Sequence, residues 1–297
     1  MTTQATQSLS LSVRSRAADW LELGKPRMNL LVVTTTMVGF HMAVRQSGDW
    51  RFLPAALFGT ALSAAGASAL NQFVEREPDS RMRRTRNRPI PSGRIRPGEA
   101  LGYGIGLCVG GVLLLGLLVN ALTAMLAAFT ILSYVLVYTP MKRITAWNTI
   151  IGAVPGAIPP MIGWTAVRGQ IDPQAIALML ILFFWQIPHF MAIAILYRND
   201  YADGGFKMLP VVDPELRRVS RHIMVFSLAL LAAAALPTLL GMDSAKYMFL
   251  SVMLSMAFIT AGAMCVSART RFEARRLFVA SIVYLPLLLA AMMMART

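Results

Sequence analysis

With 56% of its 297 residues hydrophobic and only 14% charged, the chain carries more apolar surface than a soluble domain needs to fill its core. The formal charge of +14 invites a nucleic-acid reading, but the basic residues lie dispersed between apolar segments, which excludes nucleic acid and points to membrane topology. Cys108 and Cys265, the two cysteines, both sit inside apolar segments, so a disulfide framework or thiolate metal site is excluded and packing roles are expected.

Residues 1–24 are predicted to form a cytoplasmic segment ahead of one membrane domain at 25–297. They lack the apolar core of a signal peptide. Arg14 and Arg16 among serines suggest a transit peptide only weakly, and Asp19 and Glu22 argue against it, so a bacterial inner membrane is the expected address. A helical span needs roughly 20 apolar residues. Nine such segments follow, at about 27–45, 52–73, 98–119, 121–139, 147–167, 174–196, 221–241, 245–267 and 276–295. The predicted fold is therefore an all-α transmembrane bundle around a central cavity open to the cytoplasm. If the loops alternate between faces, all basic residues except Arg45, Arg51, Arg168, Lys246 and Arg296 share the N-terminal face. The excess of positive charge marks that face as cytoplasmic and places the C-terminus outside.

Two loops on that face, 74–97 and 197–220, are long and rich in both charges, as functional loops tend to be. The first opens with NQFVEREPDSRMRRTRNRP, residues 71–89. Asn71, Glu75 and Asp79 are spaced i, i+4, i+8, so a continuous helix would align three oxygen-bearing side chains in one stripe. Magnesium takes one or two carboxylates together with phosphates and water, and guanidinium groups such as Arg84 and Arg88 fork onto phosphate oxygens. Most of the loop's arginines read equally as cations solvated at the lipid headgroups. Pro78 disfavours helix at Glu77 and clashes with the Val74 carbonyl, so Asp79 is expected just past the helix end.

Farther along, YTPMKRITAWN, residues 138–148, brings Lys142, Arg143 and Asn148 to the same face. The two cations read alone as a positive-inside anchor, and beside two acidic clusters as partners for a departing diphosphate. NTIIGAVPGAIPPMIGW then places Pro155, Pro159, Pro160 and three glycines in span five, which must bend or break against protein or a wet cavity. Span six carries Trp185, Pro188 and His189, and runs into YRNDYADGG with Tyr197, Asp200 and Asp203. His189 lies eleven residues before Asp200, about 16 Å deeper on nearly the same helical face. Aspartates at a mouth above an aromatic and imidazole lining would accept a charged head and a flat or greasy body. The competing reading has the aspartates balancing Arg198 and Lys207, and His189 bonded to a backbone carbonyl.

These stretches carry a resemblance. NQFVEREPDSRMRRTRNRP, YTPMKRITAWNTIIGAVPGAIPPMIGW and WQIPHFMAIAILYRNDYADGGFKMLPVV resemble signature blocks of the UbiA-type intramembrane prenyltransferases, and GKPRMNLLVVTTTMVGF at 24–40 is similar to their opening block. RMRRT with PHF and MLPVV narrows the resemblance to the heme-modifying branch, the protoheme IX farnesyltransferases, or heme O synthases. The last three spans match in hydropathy alone. The resemblance implies that Asn71, Glu75 and Asp79 form a first magnesium-diphosphate motif, that Asp200 is the core of a second, and that Lys142 and Arg143 hold the diphosphate. Glu75, Asp79 and Asp200 would ligate Mg2+. Lys25, Arg27, Arg84, Arg88, Asn148, Trp185, His189, Tyr197 and Asp203 would bind substrate. Heme B and farnesyl diphosphate would be the substrates, and a heme A synthase or oxidase-assembly protein a partner. Two departures stand out: Glu75 replaces a more usual aspartate, and the second motif lacks a full pair of aspartates spaced by four. Other expectations remain open: an aromatic quinone precursor as acceptor, a membrane transporter, and either His189 or His41 near a heme iron. Against transport, the polar residues gather at one face instead of crossing the midplane.

Overall fold

A computed structural model describes residues 16–296, and its order of elements follows the apolar segments closely. A short amphipathic helix α1 (Arg16–Leu23) precedes α2 (Pro26–Ala43). A single tight turn, Ser47–Phe52, leads into α3 (Leu53–Val74) and the short α4 (Arg76–Arg81). α5 (Pro97–Leu118) and α6 (Ala121–Leu132) form a hairpin; α6 continues through a wide turn, Ser133–Tyr138, into α7 (Thr139–Ile144). Span five is split into α8 (Asn148–Ala157) and α9 (Pro159–Arg168), and α10 (Pro173–Leu196) leads to the short α11 (Arg198–Asp203) and α12 (Leu209–Val212). Three long helices close the chain: α13 (Arg217–Leu239), α14 (Ala245–Ala268) and α15 (Arg271–Ala295).

Eight of these helical stretches, counting α6 with α7 and α8 with α9 as one each, are long and apolar enough to cross a membrane. The remaining expected span, α2, is 18 residues long but more polar, with Arg27, Asn29 and three consecutive threonines. Its interior polarity is satisfied locally: the buried Thr35 and Thr36 hydroxyls both donate to the Val32 carbonyl, at 2.9 and 3.0 Å. Small residues let it nest against α9, since a Cβ on Gly39 would overlap the Pro160 carbonyl and one on Gly163 the Thr36 carbonyl. α3 and α5 approach in the same way through Gly66, Gly104 and Gly111.

The proline-rich span breaks at Ile158, where α9 restarts on Pro159, and its neighbourhood is almost entirely buried. The freed backbone groups are thus screened from lipid by protein. α10, in contrast, runs unbroken through Pro188. Large apolar side chains such as Leu117, Phe129, Leu136, Phe249 and Met294 are exposed on the outward faces, as lipid contact requires.

The short helices α1, α4, α7, α11 and α12 lie at one end of the bundle. They are held there by two small apolar clusters. Leu23, Ala69, Ile90, Ile95 and Ala100 pin α1 and the 82–96 loop to α3 and α5. Met82, Ala194, Phe206 and Met208 pin the 74–97 and 197–208 loops to each other. Arg94 reinforces the first by pairing with Asp19 and with Glu22.

Candidate active site

α3 does not run straight into α4. Glu75 (φ −88°, ψ 6°) departs from helical geometry, and the helix restarts at Arg76. The break therefore falls at Glu75, three residues before Pro78, and Asp79 lies within α4 instead of beyond a helix end. Pro78 explains the placement: it cannot donate to the Val74 carbonyl, so α3 ends at Val74, and in the first turn of a new helix its missing N–H is no loss. The turn stays tight, with Glu75 N–H donating to the Asn71 carbonyl (2.9 Å) and Asp79 N–H to that of Glu75 (2.8 Å). Asn71, Glu75 and Asp79 consequently remain a stripe, and all three are buried.

Each member of the stripe has a cationic partner from another element. Lys25 Nζ donates to Asn71 Oδ1 at 2.9 Å, Lys142 Nζ to Glu75 Oε1 at 2.7 Å, and Arg88 to Asp79 Oδ2 at 2.6 Å. The other oxygen of Asp79, Oδ1, is buried without a hydrogen-bond partner. Asn71 Nδ2 donates to Thr139 Oγ1 (3.1 Å), while that hydroxyl donates to the Tyr134 carbonyl (2.8 Å) across the wide turn at the end of α6. The Tyr138 ring lies 4.6 Å from Lys142 Nζ and supports the ammonium by cation–π attraction. Loss of hydration, and then the charge of Arg88, push the Lys25 ammonium down to about 7.

The second acidic segment meets the first. Asp200 Oδ2 accepts from the Arg84 backbone N–H at 3.3 Å, and the Arg84 guanidinium lies over the rings of Tyr197 and Tyr201, 5.1 and 5.6 Å away. Lys207 N–H donates to the Lys142 carbonyl (2.7 Å), and Asn148 Nδ2 donates to the carbonyls of Thr145 and Lys207. Elements carrying Glu75, Lys142 and Asp200 are thereby bound into one assembly. Asn148 is a strut in it, with its amide engaged within the protein.

Other expected residues stand apart. Arg143, Arg27 and Asp203 are exposed to solvent. The turn at Tyr197 (φ −111°, ψ 27°) interrupts α10 before Asp200, so the helical-face argument that put His189 beneath Asp200 does not hold. Trp185 and His189 turn instead toward α15. His41 lies near the opposite end of α2, with its ring 6.0 Å from that of Trp50. Thr139, Tyr138 and Thr85, whose hydroxyl donates to the Asp79 carbonyl (2.9 Å), were not singled out by spacing. Thr85 lies within the quoted RMRRT stretch, whereas Thr139 and Tyr138 carried no sequence sign of this role.

Among the described residues, no three His, Cys, Asp or Glu side chains gather closely enough to hold a metal ion unaided. The donor set nevertheless fits a metal that arrives with a phosphate. Carboxylates are few, Asp79 Oδ1 is free to bind, and diphosphate and water would complete the shell of a hard cation.

A lipid-facing helical bundle, with buried carboxylates and matching cations gathered at one end, suits an enzyme that handles a phosphorylated substrate with an apolar tail at a membrane face. The UbiA prenyltransferase family matches residues 32–291, and the chain belongs to that family. Among curated relatives, the protoheme IX farnesyltransferase of Solibacter usitatus is 42% identical over 94% of this chain and 98% of its own. That of Koribacter versatilis is 40% identical over 98% of each. The fold is shared with a solved digeranylgeranylglyceryl phosphate synthase (TM-score 0.77, 17% identity, 94% of this chain and 98% of that one). It is also shared with a UbiA homolog from Archaeoglobus fulgidus bound to GPP and Mg2+ (TM-score 0.69, 17% identity, 92% and 99%).

Proposed function

We propose that this protein transfers a farnesyl group from farnesyl diphosphate to a vinyl group of protoheme IX, heme B, giving heme O with release of diphosphate. The observation that carries the reading is the set of cations paired with buried oxygen-bearing side chains, two of them carboxylates, at one end of the bundle. Lys142, Arg88 and Lys25 are already in place beside Glu75, Asp79 and Asn71 and are free to exchange those partners for phosphate oxygens. The acceptor is supported by the protoheme IX farnesyltransferases that share about two-fifths of the sequence along nearly its full length.

In this reading the allylic carbon–oxygen bond ionises and its electron pair leaves with the diphosphate. Lys142, Arg88 and Lys25 stabilise that developing charge, so no protein nucleophile is needed. Glu75 and Asp79 on one segment and Asp200 on the other are the residues that would hold magnesium, through the diphosphate and not as a single three-carboxylate cluster, and the metal when bound supplies further charge neutralisation at the leaving group. The vinyl π electrons form the new carbon–carbon bond, the resulting cation beside the macrocycle takes up water, and a proton is lost. Buried apolar walls on α8, α9 and α10 protect the allylic cation from early capture by water. The loops bearing the site face the cytoplasm of a bacterial inner membrane, with 1–24 a cytoplasmic segment and 25–297 one catalytic domain.

The test is incubation of membranes containing the protein with heme B, farnesyl diphosphate and magnesium, followed by mass spectrometry of the porphyrins. A product heavier than heme B by one farnesyl group and one hydroxyl group is expected, the added water having lost a proton. Recovery of unmodified heme together with a prenylated aromatic acid, when both acceptors are offered, would move the assignment to a quinone precursor.

A further inference from the structure

His189 is one of only three imidazoles in the chain, and its surroundings fix more than its position. Its ring stacks on Trp185 (centroids 4.8 Å apart, 21° between planes) and packs against Phe278 at 5.2 Å and Phe190 at 5.5 Å. Nδ1 lies 2.6 Å from Ser281 Oγ on α15. The direction of that bond follows from the next one. Ser281 Oγ donates its single hydrogen to the Phe278 carbonyl at 2.5 Å, so toward His189 it acts as acceptor. In that arrangement Nδ1 carries the proton, and in the neutral ring the lone pair is left on Nε2. Nε2 makes no hydrogen bond among the described residues. Ser281 also fixes the neighbouring ring, since its carbonyl accepts from the Trp185 indole at 2.9 Å.

We infer that His189 Nε2 is the axial ligand that holds the iron of the heme substrate, with Ser281 as the residue that sets its tautomer. The inference rests on the proposed heme acceptor and deepens it. A fixed Nδ1–H with a bare Nε2 is the arrangement that metal-binding histidines require, the other nitrogen being held by an outer partner. One imidazole among three aromatic rings does not make a protein metal site, and no cluster of His, Cys, Asp or Glu surrounds it among the described residues. A porphyrin iron, however, brings four nitrogens of its own and asks the protein for one axial ligand, and aromatic faces suit its flat macrocycle. His222 shows the same tautomer, donating from Nδ1 to the Arg218 carbonyl (2.7 Å), but it lies at the start of α13 beside the exposed Trp147, at the rim of the bundle. It serves as the control.

The full-length protein in detergent is titrated with ferric protoporphyrin IX and, separately, with metal-free protoporphyrin IX, and heme transfer is assayed in parallel. Wild type and His222→Ala should give the Soret position and electron paramagnetic resonance signal of a histidine-ligated iron. His189→Ala should lose that signature, recover it when free imidazole is added, and bind the metal-free porphyrin as wild type does. Ser281→Ala should weaken binding of the iron porphyrin by about tenfold or more, with little effect on the metal-free one. An unchanged spectrum in His189→Ala overturns the axial ligand. So does a variant that loses turnover alone, the result expected if His189 instead takes the proton from the added water. Should His189→Ala fail to fold, an unchanged iron-porphyrin affinity in Ser281→Ala is the overturning result. Absence of farnesyl transfer to heme by wild type would instead reject the acceptor, whatever the spectra show.

Discussion

Glu75 and Lys142 show what a buried ion pair does when neither partner is there for stability alone. Removing one partner strands a buried charge, so a single substitution confounds folding with chemistry. Removing both does not. The double variant Glu75→Gln, Lys142→Met keeps the shapes and leaves no unpaired charge, so it should insert and fold while turnover falls by at least about 100-fold, the scale of losing one electrostatic donor. Wild-type rates in that variant, measured at saturating farnesyl diphosphate and magnesium, would leave the pair a purely structural role. Lys25 offers a separate check through protons. Its ammonium is held down to about 7, so at pH 8 most of it is neutral, and a diphosphate placed beside it favours the charged form. Binding of the anion at pH 8 should therefore take up a proton, visible as a buffer-dependent heat in calorimetry, and Lys25→Met should abolish that uptake. At this scale the sequence was informative where a motif carried polar or charged groups into an apolar run, as at Asn71, Glu75 and Lys142. It was silent on Thr139 and Tyr138, because a hydroxyl and a phenol at the end of an apolar helix carry no pattern until the wide turn at Ser133–Tyr138 brings them beneath the cations.

The helices that deliver these residues were legible by length and hydropathy, and so was the break in the proline-rich fifth span, but the places where α3 and α10 are interrupted were not. Pro78 signalled a break without revealing that it would fall at Glu75, since the missing donor acts on the carbonyl four residues back. At Tyr197 no proline or glycine announces the turn that sends α11 away from α10. The same break therefore occurs twice, each time leading from a long helix to a six-residue one that carries an acidic residue, Asp79 or Asp200. Glycines set the other unseen feature, the separation of the helices. The Tyr138 ring fills the space above Gly152, where an added Cβ would strike its edge. Gly152→Ala should push that ring and the ammonium over it, lowering turnover while the fold survives. At the α2–α9 contact, by comparison, Gly163→Val meets backbone on the opposite helix, which cannot yield. It should cost about 1–3 kcal/mol and lower the unfolding temperature in detergent. If Gly163→Val unfolds no earlier than wild type, the close contact of α2 with α9 is not the one described.

For the molecule as a whole, the distribution of charge makes a claim about sidedness that no single helix can make. The basic residues between Arg76 and Arg96 and between Arg198 and Arg221 lie at the same end of the bundle as α1, α4, α7, α11 and α12, while Arg45, Arg51, Arg168 and Arg296 lie at the other. Arg296 there caps the end of α2 by donating to the His41 and Val44 carbonyls, so the two ends of the described chain are anchored on opposite faces. Bundle geometry makes the two ends distinct, and the positive-inside rule predicts that the end bearing the acidic loops is the cytoplasmic one. That choice also suits the chemistry, since the loops that carry Asp79 and Asp200 lie at that end and a charged diphosphate headgroup belongs on an aqueous side. Both native cysteines are buried, so an introduced thiol can be read against a low background. Asp203→Cys, on the exposed tip of the acidic loop, should resist a membrane-impermeant maleimide added to intact cells and react once they are opened. Gln170→Cys, on the exposed turn after α9, should react in intact cells. The opposite pattern would turn the protein over in the membrane and place diphosphate release on the outer side, where the positive-inside bias and the proposed substrate supply would both be wrong.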